Sequence, residues 1–507
     1  MSASPSASPQ SRRIRVAIVG AGFSGIAMAL EMKRAGFLKD VTIIDKAEEF
    51  GGTWRDNVYP GCACDIPSHL YSLAGEPYDW PAFYSHQPAI LDYILHVVDK
   101  HDLRSRALLG SAVTRQEWDD AQACWVLTLQ NGQTIPAEVV VNGVGPLSRP
   151  IIPDIPGRST FRGPMFHSAE WDVGTDIAGK RVGIIGTGAS AVQIAPAIAE
   201  DVQHLSIFQR TPSWVMPKVE RTFSPIERRI LRHVPGVQSL LREVVFNVVE
   251  HVVWRVLAQG RLAQKRAVRL GMWNIHRSIT DPDLRQAVTP SLIPGCKRIM
   301  FSNTWYPTLA RPNVDLHTSG ISEITPTGVL SQDGNAVHLD VLVYGTGFDA
   351  HHFWFPMEVL GQGGRELEQH WSTASAAHMS TTTPGFPNMF FLLGPNTGTG
   401  HNSVVLMAEA QAKYVMGALE FLRSGAAAWL APGEQSAELF GEEMAARHAD
   451  LVWASGCGSW YLNQSGVNDT LYPGRVRDFQ RRLARFDIEA YKTGSDRPVA
   501  WQPGTTP

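Results

Sequence analysis

Two glycine-rich turns carry the first chemical signal in this sequence. The first reads Gly20-Ala-Gly22-Phe-Ser-Gly25 and the second reads Gly186-Thr-Gly188-Ala-Ser-Ala191. Glycines at this spacing let a backbone approach a pyrophosphate at the N-terminus of a helix, and alanine is tolerated at the third position. Each turn follows an apolar run, residues 14–19 and 181–185, so each predicts a strand, a turn and a helix that bind a dinucleotide.

The residue after the second strand of each unit indicates which ligand is bound. In the first unit Asp45 follows the predicted strand 41–44, and its carboxylate can accept hydrogen bonds from both ribose hydroxyls. In the second unit the predicted strand 204–208 leads to Arg210 and Thr211, without a carboxylate. A guanidinium suits a 2′-phosphate, so the second unit predicts NADPH.

A long spaced motif lies between the two turns. It reads FxGxxxHxxxW followed by Asp, and consists of Phe161, Gly163, His167, Trp171 and Asp172. At these residues the chain resembles the Baeyer-Villiger monooxygenases, a branch of the flavin-containing monooxygenases. The position predicts a hinge between two bound dinucleotides, and the resemblance implies FAD in the first site. A packed core residue explains His167 as well as a chemical role does, so His167 is not placed among the catalytic residues.

Further segments follow in the order found in that family. Gly51-Gly-Thr53-Trp54 and the loop to residue 68 contain so much glycine and proline that they predict neither helix nor inner strand. The resemblance places this loop, with Asp65, over the flavin. In Gly295-Cys-Lys297-Arg298 it assigns Lys297 to the NADPH phosphate and Arg298 to catalysis.

The order of these segments, which matches that of the family, suggests roles for three further residues at the expected cofactor site. Asp65 is expected to hold Arg298 through a charge-assisted pair. Asn396 is expected at the cofactor, in a turn before a predicted long helix whose positive N-terminal end suits a reduced flavin. The resemblance places Trp460 against the nicotinamide cofactor, although a buried core tryptophan explains it equally well.

The cysteines and the charge exclude several classes of protein. Cys62-Ala-Cys64 has no second pair, so no metal site is predicted, and its spacing is wrong for a flavin disulfide reductase. Five cysteines in 507 residues favour a reducing compartment over a disulfide framework, and hence a cytoplasmic location. A net charge of −3 gives no basic face for nucleic acid. No signal peptide is recognised in the first residues, and the apolar window 240–257 contains too many charges to span a membrane.

The predicted fold class is α/β, with two Rossmann-like dinucleotide-binding domains and a helical insertion. The predicted divisions are a tail at 1–13, the first part of the FAD-binding domain at 14–150, the NADPH-binding domain at 151–345 with the hinge motif at 161–172, and a return segment of the FAD-binding domain at 346–507. Prolines between 146 and 156 mark the first boundary, and a hairpin is expected within 112–141. The insertion at about 225–289 is open to three interpretations: a substrate lid, a membrane-surface helix or a dimer contact.

The resemblance implies a Baeyer-Villiger monooxygenase that uses NADPH, FAD and O2 to insert one oxygen atom beside a ketone carbonyl, giving an ester or lactone. An alternative is a flavin-containing monooxygenase that oxidises nitrogen or sulfur atoms. A non-catalytic flavoprotein that binds NADPH is a third interpretation. Neither the ketone nor the oligomeric state follows from the sequence.

Overall fold

The structure is a computed structural model, and it describes residues 14–456, 461–463 and 465–495. The strands in chain order are β1 Val16–Val19, β2 Val41–Ile44, β3 Ala107–Leu108, β4 Val113–Asp119, β5 Cys124–Leu129, β6 Thr134–Ala137, β7 Val139–Asn142, β8 Met165–His167, β9 Arg181–Ile185, β10 His204–Phe208, β11 Val215–Met216, β12 Met300–Phe301, β13 Val314–His317, β14 Ile321–Thr325, β15 Gly328–Ser331, β16 Ala336–His338, β17 Val341–Tyr344, β18 Glu358–Leu360, β19 Met389–Phe391, β20 Trp429–Pro432 and β21 Tyr491–Gly494. The helices are α1 Phe23–Arg34, α2 Thr53–Asp56, α3 Gln87–Lys100, α4 Ala189–Ile198, α5 Pro225–His233, α6 Val237–Val248, α7 Trp254–Leu257, α8 Arg261–Ser278, α9 Pro282–Val288, α10 Trp305–Leu309, α11 Leu367–His370, α12 Val404–Arg423, α13 Glu434–His448 and α14 Val476–Arg482.

The first sheet is parallel and has the strand order β19-β7-β1-β2-β3. Strands β1 and β7 are buried along their whole length, as expected of inner strands covered on both faces. Helices α1 and α12 pack against each other, and their buried side chains join those of β1 in one core. Strand β19 comes from the last third of the chain, so two distant segments complete this sheet.

The second sheet is also parallel, with the order β13-β10-β9-β17-β8. Strands β9 and β10 have the bounds predicted from the sequence, and β17 is an apolar strand that is buried along its whole length. The predicted α/β class is confirmed by these two parallel sheets.

The two connections between the sheets run beside each other. Ile151 N donates to Gly347 O at 2.9 Å, and Asp349 N donates to Arg149 O at 2.9 Å. The side chains of Arg149 and Asp349 also form an ion pair at 3.2 Å. A rotation of one sheet relative to the other must therefore bend both connections together.

Two local predictions need correction. The glycine-rich segment after residue 50 was expected to contain no helix, but α2 forms one turn there because Gly51 and Gly52, both at positive φ, reverse the chain just before it. The expected hairpin at 112–141 contains three antiparallel strands, β4, β5 and β6, to which β18 adds in parallel. The pattern of residues 112–141 could not show that β18, more than 200 residues later, pairs with β4.

The cysteines also depart from expectation at one position. Cys62, Cys64 and Cys124 are buried free thiols. Cys296 is disulfide-bonded, which the expectation of a reducing compartment did not foresee. Counting cysteines along a sequence does not reveal which sulfur atoms meet in space.

The predicted helical insertion is present as helices α5 to α9. Residues Val249–Val253 form a π-turn between α6 and α7. Within the described part of the chain, no helix combines the length and apolar character needed to cross a bilayer.

The FxGxxxHxxxW motif lies at the edge of the second sheet. His167 ends β8 and is fully buried, and its ring packs edge-on against Phe348 at 5.5 Å. Its Nδ1 accepts a hydrogen bond from Ala169 N at 3.1 Å. Burial lowers the pKa of His167 from 6.5 to about 4, so the ring is neutral at neutral pH. This geometry gives His167 the packing role that the sequence left open.

We expect His167 to make the fold sensitive to acid. Between pH 6.5 and about 4 the unfolded chain protonates this ring and the folded chain does not, so stability falls as pH falls through that window. The full shift corresponds to roughly 3 kcal/mol. In His167→Gln the urea midpoint should fall less between neutral and acidic pH than in the parent protein. His338→Gln, at an exposed position, is the control, and an unchanged acid dependence in His167→Gln would contradict the assignment.

Candidate active site

One large cavity, of about 1430 Å³, reaches both glycine-rich turns. Its wall also includes the loop after β2, the segment Lys297-Arg298 and the N-terminus of α12. Both turns follow the carboxyl ends of parallel strands, the usual place for ligands in such sheets. Two nucleotide sites therefore open into one space.

The first glycine turn fits a pyrophosphate. A Cβ at Gly25 would lie 1.9 Å from Gly20 O, so Gly25 is required for the contact between α1 and β1. At Gly22 a Cβ would meet Gly52 Cα at 3.6 Å, an ordinary contact, so protein packing does not require glycine there. No side chain caps the N-terminus of α1. Its free backbone amides and the space over Gly22 are what a bound diphosphate needs.

Asp45 is held rigidly beside this turn. Its Oδ2 accepts from Ala21 N at 2.7 Å and its Oδ1 accepts from Ala47 N at 2.9 Å. The guanidinium of Arg55 lies 3.4 Å from Oδ1. Asp45 lines the cavity, so its carboxylate is in position to accept hydrogen bonds from a ribose.

Thr53 and Trp54 line the cavity on α2. The indole of Trp54 donates to Tyr71 Oη at 3.2 Å and packs edge-on against that ring at 5.7 Å. The side chain of Gln87 donates to Trp54 O, which ties the turn to α3. These contacts hold α2 against the cavity.

The second turn has alanine at its third position, and a glycine outside the turn makes room for it. A Cβ at Gly186 would lie 2.4 Å from Gly345 O, whereas at Gly188 the nearest atom would be 3.9 Å away. Ala191 is fully buried, and a Cβ built on Gly345 would meet the Ala191 Cβ at 3.4 Å. Alanine is accommodated at 191 because residue 345, at the end of β17, is glycine.

The residues predicted to hold a 2′-phosphate lie together. The Lys297 ammonium donates to the Thr211 hydroxyl, and Arg210 lies in the same stretch of cavity wall. Burial, and then the positive charge of Arg210, lower the pKa of Lys297. Within the described residues neither cation forms a salt bridge, so both remain available to an anionic ligand.

Arg298 lies in the cavity wall just before β12. Desolvation lowers the pKa of its guanidinium, but the acidic groups of Tyr461 and Asp65 outweigh that effect and raise it. Arg298 therefore stays protonated at every working pH. Its loop is anchored from outside by the Trp453 indole, which donates to Gly295 O at 3.1 Å.

The predicted pair between Asp65 and Arg298 is not formed. In the described part of the chain the two residues share no salt bridge, and Asp65 Oδ1 instead lies 3.8 Å from Lys218 Nζ. Lys218 follows β11, which pairs with β12, so this small sheet brings a second cation to the carboxylate. No motif marked Lys218 in the sequence, because its importance depends on that pairing alone.

The structure gives the side chain of Asn396 partners within the protein. Its amide donates to Asn468 O at 3.0 Å and to Leu471 O at 3.1 Å, and Asn396 is absent from the cavity wall. Thr399 and Asn402 from the same loop line the cavity instead. Trp460 lies outside the described residues.

A buried carboxylate from the insertion supports this loop, and sequence reasoning missed it. Glu250, 1 % exposed, contacts His401 Nε2 at 3.0 Å and accepts from Asn402 Nδ2 at 2.9 Å and Arg477 N at 3.0 Å. Burial raises the pKa of Glu250, but the hydrogen bonds, that of His401 foremost, lower it below its ordinary value. The insertion is therefore locked to the loop that precedes α12. A lone glutamate in a helical stretch carried no signal of this contact.

Comparison with known proteins decides the family. The profile of the flavin-binding monooxygenase-like family matches residues 13–259. A Baeyer-Villiger monooxygenase of Streptomyces coelicolor is 41% identical over 495 residues, covering 96% of this chain and 94% of that protein. This chain belongs to the Baeyer-Villiger monooxygenases.

Solved structures agree with this family. A cyclohexanone monooxygenase from Rhodococcus sp. Phi1 bound to NADP+ superposes with a TM-score of 0.84 at 27% identity, covering 95% of this chain and 99% of that one. OTEMO in complex with FAD and NADP also gives 0.84, at 26% identity, and covers 96% of this chain and 100% of that one. This Baeyer-Villiger monooxygenase thus uses FAD, as the family resemblance implied, and NADPH, as the second turn predicted.

Removing the buried carboxylate should loosen the loop over the active site. We expect Glu250→Ala to lose roughly 3 kcal/mol of unfolding free energy, since the buried groups of His401 and Asn402 and the partly buried Arg477 N would lose their acceptor. The matched control is Glu243→Ala, which removes an exposed ion pair with Arg477 and should cost less than about 1 kcal/mol. Urea unfolding of the flavin-loaded protein measures both. Equal losses in the two variants would contradict this role.

Proposed function

We propose that the enzyme oxygenates a ketone to an ester or lactone in the part of the cavity next to Arg298. The observation that carries the proposal is a protonated guanidinium in the wall of the space shared by both nucleotide sites, with no salt bridge in the described residues. A charge that no carboxylate neutralises is free to act on substrate oxygen.

The bound cofactors supply the difficult chemistry, NADPH as reductant and the flavin as the group that activates O2. The chain's contribution is position and charge. Arg298 stabilises the negative charge that develops on oxygen and orients the ketone carbonyl, without itself exchanging a proton.

The neighbours of Arg298 act by positioning. Asp65 and Lys218 form a nearly buried pair, with 10% and 7% of their side chains exposed, and Lys218 also lies 5.0 Å from the Tyr84 ring. The carboxylate therefore does not neutralise Arg298 by direct contact, but its field keeps the guanidinium charged. We propose that this spacing leaves the fork of Arg298 open to substrate.

The cavity's second cation group selects the reductant. Arg210, Lys297 and the Thr211 hydroxyl supply donors for a 2′-phosphate, and this supports the preference for NADPH over NADH.

A cytoplasmic location stays a prediction: the free thiols favour it, and the disulfide at Cys296 does not.

Removal of one of these cations should change the reductant preference. In Arg210→Ala we expect the ratio of kcat/KM for NADPH to that for NADH to fall about tenfold or more, because a charge-assisted pair to the phosphate is lost. Arg229→Ala, an exposed arginine of α5, should leave the ratio unchanged. A ratio equal to the parent's in Arg210→Ala would refute the site.

Replacement of Arg298 should separate reduction from oxygenation. We expect Arg298→Ala to keep its flavin and still consume NADPH, while ester formation falls about 100-fold or more and hydrogen peroxide appears instead. Arg298→Lys keeps a positive charge without the fork and should retain part of the ester yield. Stopped-flow reduction, a peroxide assay and product mass measure the three quantities. Normal ester yield from Arg298→Ala would overturn the proposal.

A further inference from the structure

The helical insertion exposes an unusual amount of apolar surface. Ten large apolar side chains, each at least 45% exposed, lie on helices α5, α6 and α8 and on the segments that directly follow α5 and α6. They are Ile226, Ile230, Val234, Leu240, Val244, Val248, Val252, Leu262, Leu270 and Trp273. We call these residues the outer face. Single exposed apolar residues are common, but a set concentrated on one insertion marks an interaction surface.

The exposed apolar residues of α6 and of the π-turn after it recur at helical spacing. Leu240, Val244, Val248 and Val252 recur every four residues, and they are 64%, 51%, 55% and 58% exposed. A helix places residues at this spacing on one side, here over roughly 18 Å of its length. The opposite side is also apolar, since Val245 and Phe246 are buried against the rest of the protein. Helix α6 thus has an apolar side beyond the one that the fold uses.

The charge around the outer face is strongly positive. The insertion 225–289 contains eleven Lys and Arg against five Asp and Glu, in a chain whose net charge is −3. Its exposed basic residues without a salt bridge, within the described part of the chain, are Arg229, Arg232, Arg255, Arg261, Lys265, Arg266, Arg269 and Arg277. Two acids of the insertion, Glu227 and Glu243, are already paired with Arg221 and Arg477.

This charge decides between the occupants of the outer face. A twofold contact with a second copy would place the same basic surface against itself, which like charges oppose. An anionic lipid bilayer offers the opposite charge together with an apolar layer beneath the headgroups. Helices with apolar residues on one side and Lys and Arg beside them are typical of proteins that lie in that layer.

The side chains at the end of α8 are of the types found at the boundary between lipid headgroups and acyl chains. Trp273 is 52% exposed, and the Arg277 guanidinium lies 4.4 Å from its ring. Tryptophan concentrates at membrane interfaces, and long basic side chains reach the headgroups while their stems stay in apolar surroundings.

We propose that the outer face docks this enzyme on anionic lipid membranes as a peripheral protein. The apolar side chains of α5, α6 and α8 enter the interface, and the unpaired basic residues contact the lipid headgroups. The proposal does not depend on the reaction catalysed. It does have a structural consequence, because the π-turn that follows α6 also carries Glu250, whose carboxylate holds the active-site loop.

Vesicle flotation of the flavin-loaded enzyme tests the proposal. We expect the protein to float with vesicles made of equal parts phosphatidylcholine and phosphatidylglycerol, and to remain unbound with phosphatidylcholine alone. Binding should weaken at high salt because the headgroup contacts are screened. The variant Leu240→Ser/Val244→Ser/Val248→Ser should bind at least tenfold more weakly, since it removes apolar side chains that enter the interface. The separate variant Arg266→Glu/Arg269→Glu should also bind at least tenfold more weakly, since each charge near the surface contributes about fivefold.

Matched controls show whether the effect belongs to this face. Leu439→Ser removes an equally exposed apolar residue of α13, and Lys39→Glu/Lys492→Glu changes the net charge by the same amount elsewhere. Both should bind vesicles as the parent does, and all variants should keep their flavin. Equal binding to both vesicle types, or no binding to either, would overturn the proposal. So would a dimer in sedimentation that the Leu240→Ser/Val244→Ser/Val248→Ser change dissociates, since a second copy would then cover the outer face.

Discussion

Two dinucleotides have to meet in one cavity, and this requirement constrains the rest of the molecule. Each parallel sheet presents the carboxyl end of its middle strand, β1 or β9, with a glycine turn and an uncapped helix N-terminus, to the same space. The turns work because backbone meets backbone without side chains between, at Gly20 and Gly25 in the first sheet and at Gly186 and Gly345 in the second. The paired connections near Arg149 and Asp349 then keep the two sheets facing each other.

The charges around the cavity are separated rather than neutralised. Arg210 and Lys297 remain unpaired in the described residues at the second nucleotide, and Asp65 is held near Lys218 instead of contacting Arg298. Keeping cations unpaired in a partly desolvated wall costs stability, and a bound phosphate or substrate oxygen offsets that cost. Glu250 differs from these cations, because its buried carboxylate already has three hydrogen-bond partners within the protein. Among the described residues, no lysine or arginine side chain forms a salt bridge with it.

The sequence predicted those parts whose cause is local. Strands β2, β9 and β10 follow from apolar runs beside glycine turns, and the helix after Ser403 follows from its helix-forming composition. The cluster of Arg210, Thr211 and Lys297 was also predicted, Arg210 and Thr211 from their place after a strand and Lys297 from the family resemblance. Lys218 beside Asp65 and Glu250 beside His401 were not, since each contact joins elements more than a hundred residues apart and depends on side-chain direction. The partners of Asn396 were not predictable for a related reason: which residues of its turn face the cavity depends on packing against residues 468–471.

The enzyme is expected to insert one atom of dioxygen beside a ketone carbonyl in the cavity that both nucleotide sites share. The most direct measurement uses the purified enzyme with NADPH, dioxygen labelled with the heavy isotope of oxygen, and a panel of cyclic, aromatic and steroidal ketones, with product mass as the readout. We expect an ester or lactone that carries one labelled oxygen, formed in step with NADPH consumption. Labelled sulfoxides or N-oxides from added sulfides and amines, with every ketone recovered unchanged, would contradict it.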